Sequence, residues 1–384
     1  MSWVADSVRD WRVWALFAFL QVPGLRVVAK YLPAPLRSWT PLWLLATLLF
    51  YGALLHHRRV RGWCRSAGRG RVYVLAIVIM LSIFNAVVYP RVDSLKSQLR
   101  GSDEDDNLIQ TSLRLVRGER PIYVPNYLGN PPTQGPGWAL MVAPLTLSGT
   151  YFLLTPLALG ALPLIVVAAQ GSELAAALAT LLPLSSPAFW ELLVTGSDLF
   201  AIGVVFTGLT AAIFGWRDLG AAPRAACVAL TIAAGTTRVV FAYPAALIGC
   251  FLWKRHRKGA VLLIALSTAI VALEILAWWP DRDQVTPISL LAKGVAMLGP
   301  IGLPVGAIAT AAVTVFAIAQ VDDSAASWMR GTWLGLAAML GALAVADLAR
   351  VNFDLTVWQA ASYPVVAVPL LVSYIALTQQ RGDP

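Results

Sequence analysis

Four consecutive acids, Asp103, Glu104, Asp105 and Asp106, interrupt a chain in which only 13% of residues are charged. Just after them, Leu108, Leu113 and Leu115 recur among polar residues, the pattern of a short amphipathic helix. One carboxylate is enough to cap such a helix and to suit its dipole. Four side by side repel one another, so the surplus asks for a cation or for a reacting proton, with plain helix capping as the alternative. A carboxylate general base is the first chemistry this implies. A divalent cation held by the same acids is the second.

Arg238, at the end of Gly235-Thr236-Thr237-Arg238, is the other feature that carries chemistry. A charge among apolar residues is costly unless paired, and marks a site by default. Its planar fork of donors suits a phosphate, and the amides and hydroxyls beside it suit one too. The alternative is an internal ion pair with Asp198 or Glu274, either of which is otherwise a site wall. Tyr123 joins them at the start of a turn-rich stretch, residues 123–137, dense in proline and glycine. The three histidines, His56, His57 and His256, lie instead in Arg- and Lys-rich stretches. Imidazole is then unavailable to chemistry on the other face, and a serine nucleophile has no base there. No zinc-protease motif, P-loop or Gly-x-Ser-x-Gly elbow occurs. Cys64, Cys227 and Cys250 are too few for a disulfide framework and read as packing thiols.

The elements that position these residues are membrane helices. Hydrophobic residues make up 58% of the 384, whereas a soluble domain has about a quarter of its residues charged. At roughly 20 apolar residues per crossing, the expected fold is an all-α polytopic membrane protein of about ten to thirteen transmembrane or re-entrant helices. Too little polar sequence is left for a separate soluble enzyme domain, and no cleavable signal is expected at the mixed-charge N-terminus. Arg58, Arg59, Arg61, Arg65, Arg69 and Arg71 form one basic block, and Lys254, Arg255, Arg257 and Lys258 another. Between apolar spans these are cytoplasmic loops by the positive-inside rule rather than nucleic-acid sites. Val72 to Pro90 then crosses outward and sets residues 91–137 outside. Residues 225–252 should enter and return around the Gly235–Arg238 break, where non-helical backbone is tolerated against protein. Val13 to Leu25 is either a span or an interfacial helix. Ala296 to Gln320, Thr332 to Ala346 and Ala360 to Leu377 are further spans, with residues 281–293 and 347–359 as outer loops. Trp138 to Ser148 is too short to cross. Either it is re-entrant, or Glu173 to Gly196 hides a broken pair around Pro183 and Pro187. No internal repeat is visible.

This pattern resembles the GT-C superfamily, membrane glycosyltransferases that use polyprenyl-phosphate sugars. The resemblance rests on Asp103-Glu104-Asp105-Asp106 after an early span, then Gly118-Glu-Arg-Pro-Ile-Tyr123, then Asn130-Pro-Pro-Thr-Gln-Gly-Pro-Gly137 before Trp138. It continues in Ser186 to Asp198 and in Gly235-Thr-Thr-Arg238 followed by Tyr243-Pro244, and covers roughly residues 72–380. It implies a GT-C-like transmembrane domain over residues 71–384 with an outer catalytic loop, 91–137, carrying a juxtamembrane helix. Residues 1–70 would be extra N-terminal helices and the Arg-rich loop. The resemblance further implies inverting transfer of a sugar, of the mannosyl- or arabinosyltransferase kind, to a lipid or glycan acceptor at the outer face of the cell membrane. One of Asp103 to Asp106 would be the general base and Arg238 the donor-phosphate ligand. No cofactor is implied with certainty, a divalent cation remains open, and nucleic acid is not a partner. A multi-pass transporter or lipid flippase for cell-envelope precursors is the rival, since intramembrane charges and broken helices occur there too. A non-catalytic assembly subunit is a third reading.

Overall fold

The structure is a computed structural model that describes residues 2–67, 71–98, 103–119, 134–169, 171–279 and 289–379. Within them every regular element is helical. The N-terminal part comprises α1 (Ser2–Arg9), α2 (Trp11–Leu20), α3 (Val22–Tyr31), α4 (Ala34–Arg37), α5 (Thr40–His56) and α6 (Arg58–Ala67). There follow α7 (Arg71–Ser94), which runs on into a 3₁₀ turn at Leu95–Gln98, then α8 (Glu104–Val116), α9 (Pro136–Leu147) and α10 (Leu154–Ala168). The central part holds α11 (Glu173–Leu184), α12 (Pro187–Thr195), α13 (Leu199–Phe214), α14 (Ala221–Gly235) and α15 (Ala242–Leu252). Long helices close the chain: α16 (Arg257–Trp278), α17 (Ser289–Gln320) and α18 (Ala325–Arg350), then a 3₁₀ stretch at Gln359–Ala367 leading into α19 (Val368–Thr378).

Seven stretches among the described residues are long and apolar enough to cross a membrane, as a multi-pass protein requires: 11–31, 73–94, 151–168, 257–278, 292–320, 325–350 and 359–378. The first joins α2 and α3, so the segment around Val13 to Leu25 has the length of a span. Shorter apolar helices, among them α5, α9, α13 and α14, pack between them. The outward face of α7 shows Leu75, Ile79, Ile83 and Val87, and that of α17 shows Ile301, Val305, Ile308 and Val315. Continuous apolar surface of this kind is matched by hydrocarbon, not water. The stretch 359–378 is 94% buried and is the centre around which the others pack. Helices approach it closely where side chains are small. A Cβ on Gly203 of α13 would stand 2.3 Å from the Val366 carbonyl oxygen.

Of the two answers to the counting problem at residues 138–196, the broken pair is present. Trp138, at the start of α9, and Tyr151, just beyond its end, both reach the 196–198 loop, so both ends of the short α9 lie near that loop. α11 and α12 form an apolar pair bent by 76° between Leu184 and Pro187. Proline at the first position of α12 ends one helix and starts the next. The break at 235–238 also occurs where the charge pattern requires it. α17 is kinked at Gly299, whose φ of 67° is accessible to glycine.

Several boundaries differ from the sequence reading. Residues 91–94 continue α7 past Pro90 instead of opening the outer loop. Residues 347–350 continue α18 instead of opening a loop. Buried Asp347 accepts from the Ala360 amide at 2.8 Å and from Arg350 at 2.7 Å, so its carboxylate ties the next element on. Lys293 lies inside α17 rather than in a loop. At one end of the bundle the turns after α13, α15 and α17 come together through Arg217, which donates to the Arg255 carbonyl at 2.8 Å, and through Arg255, paired with Asp323 at 2.7 Å. The acids of α8 belong to the other end.

Candidate functional site

The acidic helix α8 is anchored by residues that leave the membrane before it. Tyr89, Asp93 and Lys96 follow one another at i, i+4 and i+7, which puts them on one side of α7 and its 3₁₀ extension. The Tyr89 hydroxyl donates to Asp105 Oδ2 at 2.6 Å, and Lys96 Nζ donates to the two Asp105 oxygens at 2.9 and 3.1 Å. The same ammonium pairs with Asp106 at 2.9 Å and with Asp93. Asp105 is 1% exposed, whereas the Asp106 side chain keeps 28% of its surface. Asp103 stands at the N-cap position but makes no side-chain capping bond, so capping does not account for it. Glu104 is the first residue of α8, and its side chain lies outside the described residues.

Three carboxylates share one ammonium here. Burial by itself would depress the Lys96 ammonium, but Asp105, Asp93 and Asp106 outweigh it and hold Lys96 above the ordinary lysine range. Burial pushes the Asp105 carboxyl up, against the pull of Lys96 and Tyr89. Oxygens of Asp93, Asp105 and Asp106 lie within 4.8 Å of one another, the spacing of a cation site, and the Lys96 ammonium fills that position. Gly196, with φ of 70° at the end of α12, packs on this cluster. A Cβ there would stand 2.8 Å from the Tyr89 ring and 3.0 Å from Asp105 Cβ.

Two residues beyond Gly196 lies Asp198, fully buried. Its Oδ2 accepts from the Trp138 indole at 2.9 Å, and its Oδ1 faces Arg238 at 3.4–3.5 Å. The sequence alternative of an Asp198–Arg238 ion pair is therefore present. It is long: charge-assisted N–H···O bonds are usually about 2.7–2.9 Å. Arg238 also lines a small cleft of about 60 Å³ with Lys293, Met297, Leu340 and Tyr363. The break that presents it is held by the Gly135 amide, which donates to the Thr237 carbonyl at 3.0 Å. A Cβ on Gly135 would stand 1.7 Å from the Thr236 carbonyl oxygen and 2.9 Å from Glu274 Oε1. Gly135→Ala must shift this backbone and is expected to lower stability by about 1–3 kcal/mol, the usual cost of overpacking. A melting curve checks it; an unchanged midpoint contradicts the packing.

Glu274 completes the wall. It is 5% exposed, and neither carboxylate oxygen has a hydrogen-bond partner among the described residues. It does not share Arg238. Tyr123 lies outside the described residues. Tyr89, Asp93 and Lys96 were missed in the sequence, although their helical spacing was a usable signal. Nothing in the sequence linked Trp138 to Asp198, since the contact spans sixty residues.

So the acidic helix, the 196–198 turn and the 235–238 break meet at one end. No family model, curated protein or solved structure matches this chain. The functional reading therefore rests on the arrangement itself.

Proposed function

We propose that the chain is a membrane glycosyltransferase with a GT-C-like arrangement, moving a sugar from a polyprenyl-phosphate donor to a lipid or glycan hydroxyl at the outer face. The observation that carries this is an acid-rich helix and a buried arginine both packed against one turn, 196–198, at the end away from Arg217 and Arg255. The positive-inside rule makes that end the outer one. A carboxylate of the cluster takes the proton from the acceptor hydroxyl. The acceptor oxygen bonds to the anomeric carbon as the bond to the phosphate oxygen breaks, inverting the configuration. Polyprenyl phosphate leaves with the electron pair, its charge met by Arg238 and Lys293. Asp105, with three hydrogen bonds already, serves as anchor, which leaves the base among Asp103, Glu104 and Asp106.

Arg238→Lys keeps the charge and loses the fork. Donor use, read as kcat/KM, is expected to fall on the order of 10–100-fold, the worth of a charge-assisted hydrogen bond, with the melting temperature near wild type. Unchanged kcat/KM at limiting donor removes the phosphate role.

One observation favours a transporter instead. Glu274 is a buried carboxylate, without a hydrogen-bond partner among the described residues, in a long apolar helix, as a proton-coupled carrier would use. Proteoliposomes containing the protein separate the two readings. Glycosyl transfer predicts that labelled sugar moves from polyprenyl phosphate to an acceptor with no proton gradient. Gradient-dependent movement of intact lipid-linked sugar, with no bond broken, supports the carrier.

A further inference from the structure

The N-terminal helices carry a feature that the transfer reading does not use. Between α3, α7 and α12 runs a cavity of about 1000 Å³. Val27, Phe84, Val92, Pro187, Trp190 and Val194 give it apolar walls, and Lys30, Tyr31 and Glu191 sit at its polar part. The acid at this place is already engaged: Glu191 pairs with Arg26 at 3.3 Å and accepts from the Tyr31 hydroxyl at 3.2 Å. Lys30 is exposed and forms no salt bridge among the described residues; its ammonium lies 4.9 Å over the Tyr31 ring. Glu191 acts on Lys30 as well as on Arg26, so two cations stand against one carboxylate and the polar part of the groove carries a net positive charge. Val92, Val194 and Thr195 wall this groove on one side and, on the other, a small void bounded by Asp93, Lys96 and Asp105.

We propose that this groove is the seat of an anionic lipid, the acceptor of the reaction, with its hydrocarbon chain along Phe84 and Trp190 and its phosphate-bearing headgroup at Lys30. The proposal rests on the transfer reading for the word acceptor; the lipid site itself does not. Inside a bilayer a hydrocarbon chain gains little by moving from lipid to an apolar groove. Selectivity must then come from the headgroup, and the cation at Lys30 selects negative charge. Because the groove and the void at Asp93, Lys96 and Asp105 share Val92, Val194 and Thr195, a lipid in the groove lies against the wall of the acid cluster. The cleft at Arg238 and Lys293 is lined by different residues, so donor and acceptor need not compete for one opening.

The test uses the full chain in phosphatidylcholine proteoliposomes with two photoactivatable probes, a phosphatidylglycerol and a phosphatidylcholine, each with a diazirine on the acyl chain. The phosphatidylglycerol probe should label peptides containing Phe84 and Trp190 in preference to the phosphatidylcholine probe. Lys30→Gln should lower that labelling about fivefold, the effect of one lysine facing an anionic lipid. Millimolar inorganic phosphate should leave it unchanged; loss of labelling with phosphate would mean a site for the free anion and overturn the lipid assignment. Equal labelling by both probes, or no loss in Lys30→Gln, reduces the groove to ordinary lipid contact and overturns the proposal. The two readings fail separately. If the anionic probe labels selectively but no sugar is transferred, the site stands and the transfer reading falls. If sugar is transferred to lipid and Lys30→Gln leaves the KM for that lipid unchanged, the groove is not the acceptor site.

Discussion

Lys96→Met is expected to destabilise the protein by roughly 3–5 kcal/mol, the cost of leaving a buried charge without its partner. The residue serves Asp93, Asp105 and Asp106 at once. Asp105 is 1% exposed and cannot turn to water. Lys96→Arg keeps the charge and should lose much less. Adding Asp105→Asn to Lys96→Met should recover part of the loss, because the stranded charge is gone and the pair is coupled. The pH dependence has a definite sign. Burial places the Asp105 carboxyl above the usual carboxylate range, so its ionisation costs the folded state as pH rises through that raised value. Without Lys96 the cost grows. The deficit of Lys96→Met relative to wild type should therefore shrink as pH is lowered from about 8 to about 5. In wild type, Lys96 is held above its ordinary value, so its contribution persists through neutral pH and is lost only on strong alkalinisation. Melting curves of detergent-purified protein at several pH values measure both effects; a variant as stable as wild type at pH 8 would show that the cluster does not lean on Lys96.

The second large effect is on activity. Replacing the general base by its amide should slow transfer by about 10²–10⁴-fold while the protein melts as wild type. Asp103→Asn and Asp106→Asn are the informative variants. Asp103 makes no capping bond, and Asp106 keeps 28% of its side-chain surface. Asp105→Asn should instead disturb both stability and activity, because it removes the charge and one of the two oxygens that accept three hydrogen bonds. If Asp103→Asn, Glu104→Gln and Asp106→Asn each keep wild-type rates, the helix is a scaffold and no carboxylate of it is the base.

Much of this architecture is legible in the sequence because charge is scarce. The Lys254–Lys258 block marks a turn, whereas residues 58–67 of the first block form α6, and a break such as Gly235–Arg238 is expected when two blocks lie too close for an ordinary pair of crossings. The meeting of Asp198 with Arg238 is legible only as one of two pairings, since Glu274 is an equal partner by sequence and the choice is made by packing. Asp347 reads as a loop acid because nothing local shows that the Ala360 amide needs an acceptor. Lys96 and Asp93 were overlooked beside four contiguous acids, although the i, i+4, i+7 spacing from Tyr89 places them on one face. That both ends of α9 reach the same turn, through Trp138 and Tyr151, is a fact of tertiary structure alone.

The most direct measurement is the fate of the donor bond. Purified protein in proteoliposomes, given labelled polyprenyl-phosphate mannose or arabinose and a lipid acceptor, should release polyprenyl phosphate one-for-one with glycosylated product. The product should have the opposite anomeric configuration to the donor, and the amide variant of the base, one of Asp103→Asn, Glu104→Gln and Asp106→Asn, should abolish both signals. Donor recovered intact with each of these sugars, or product of retained configuration, would contradict direct transfer by a carboxylate base at this end of the bundle.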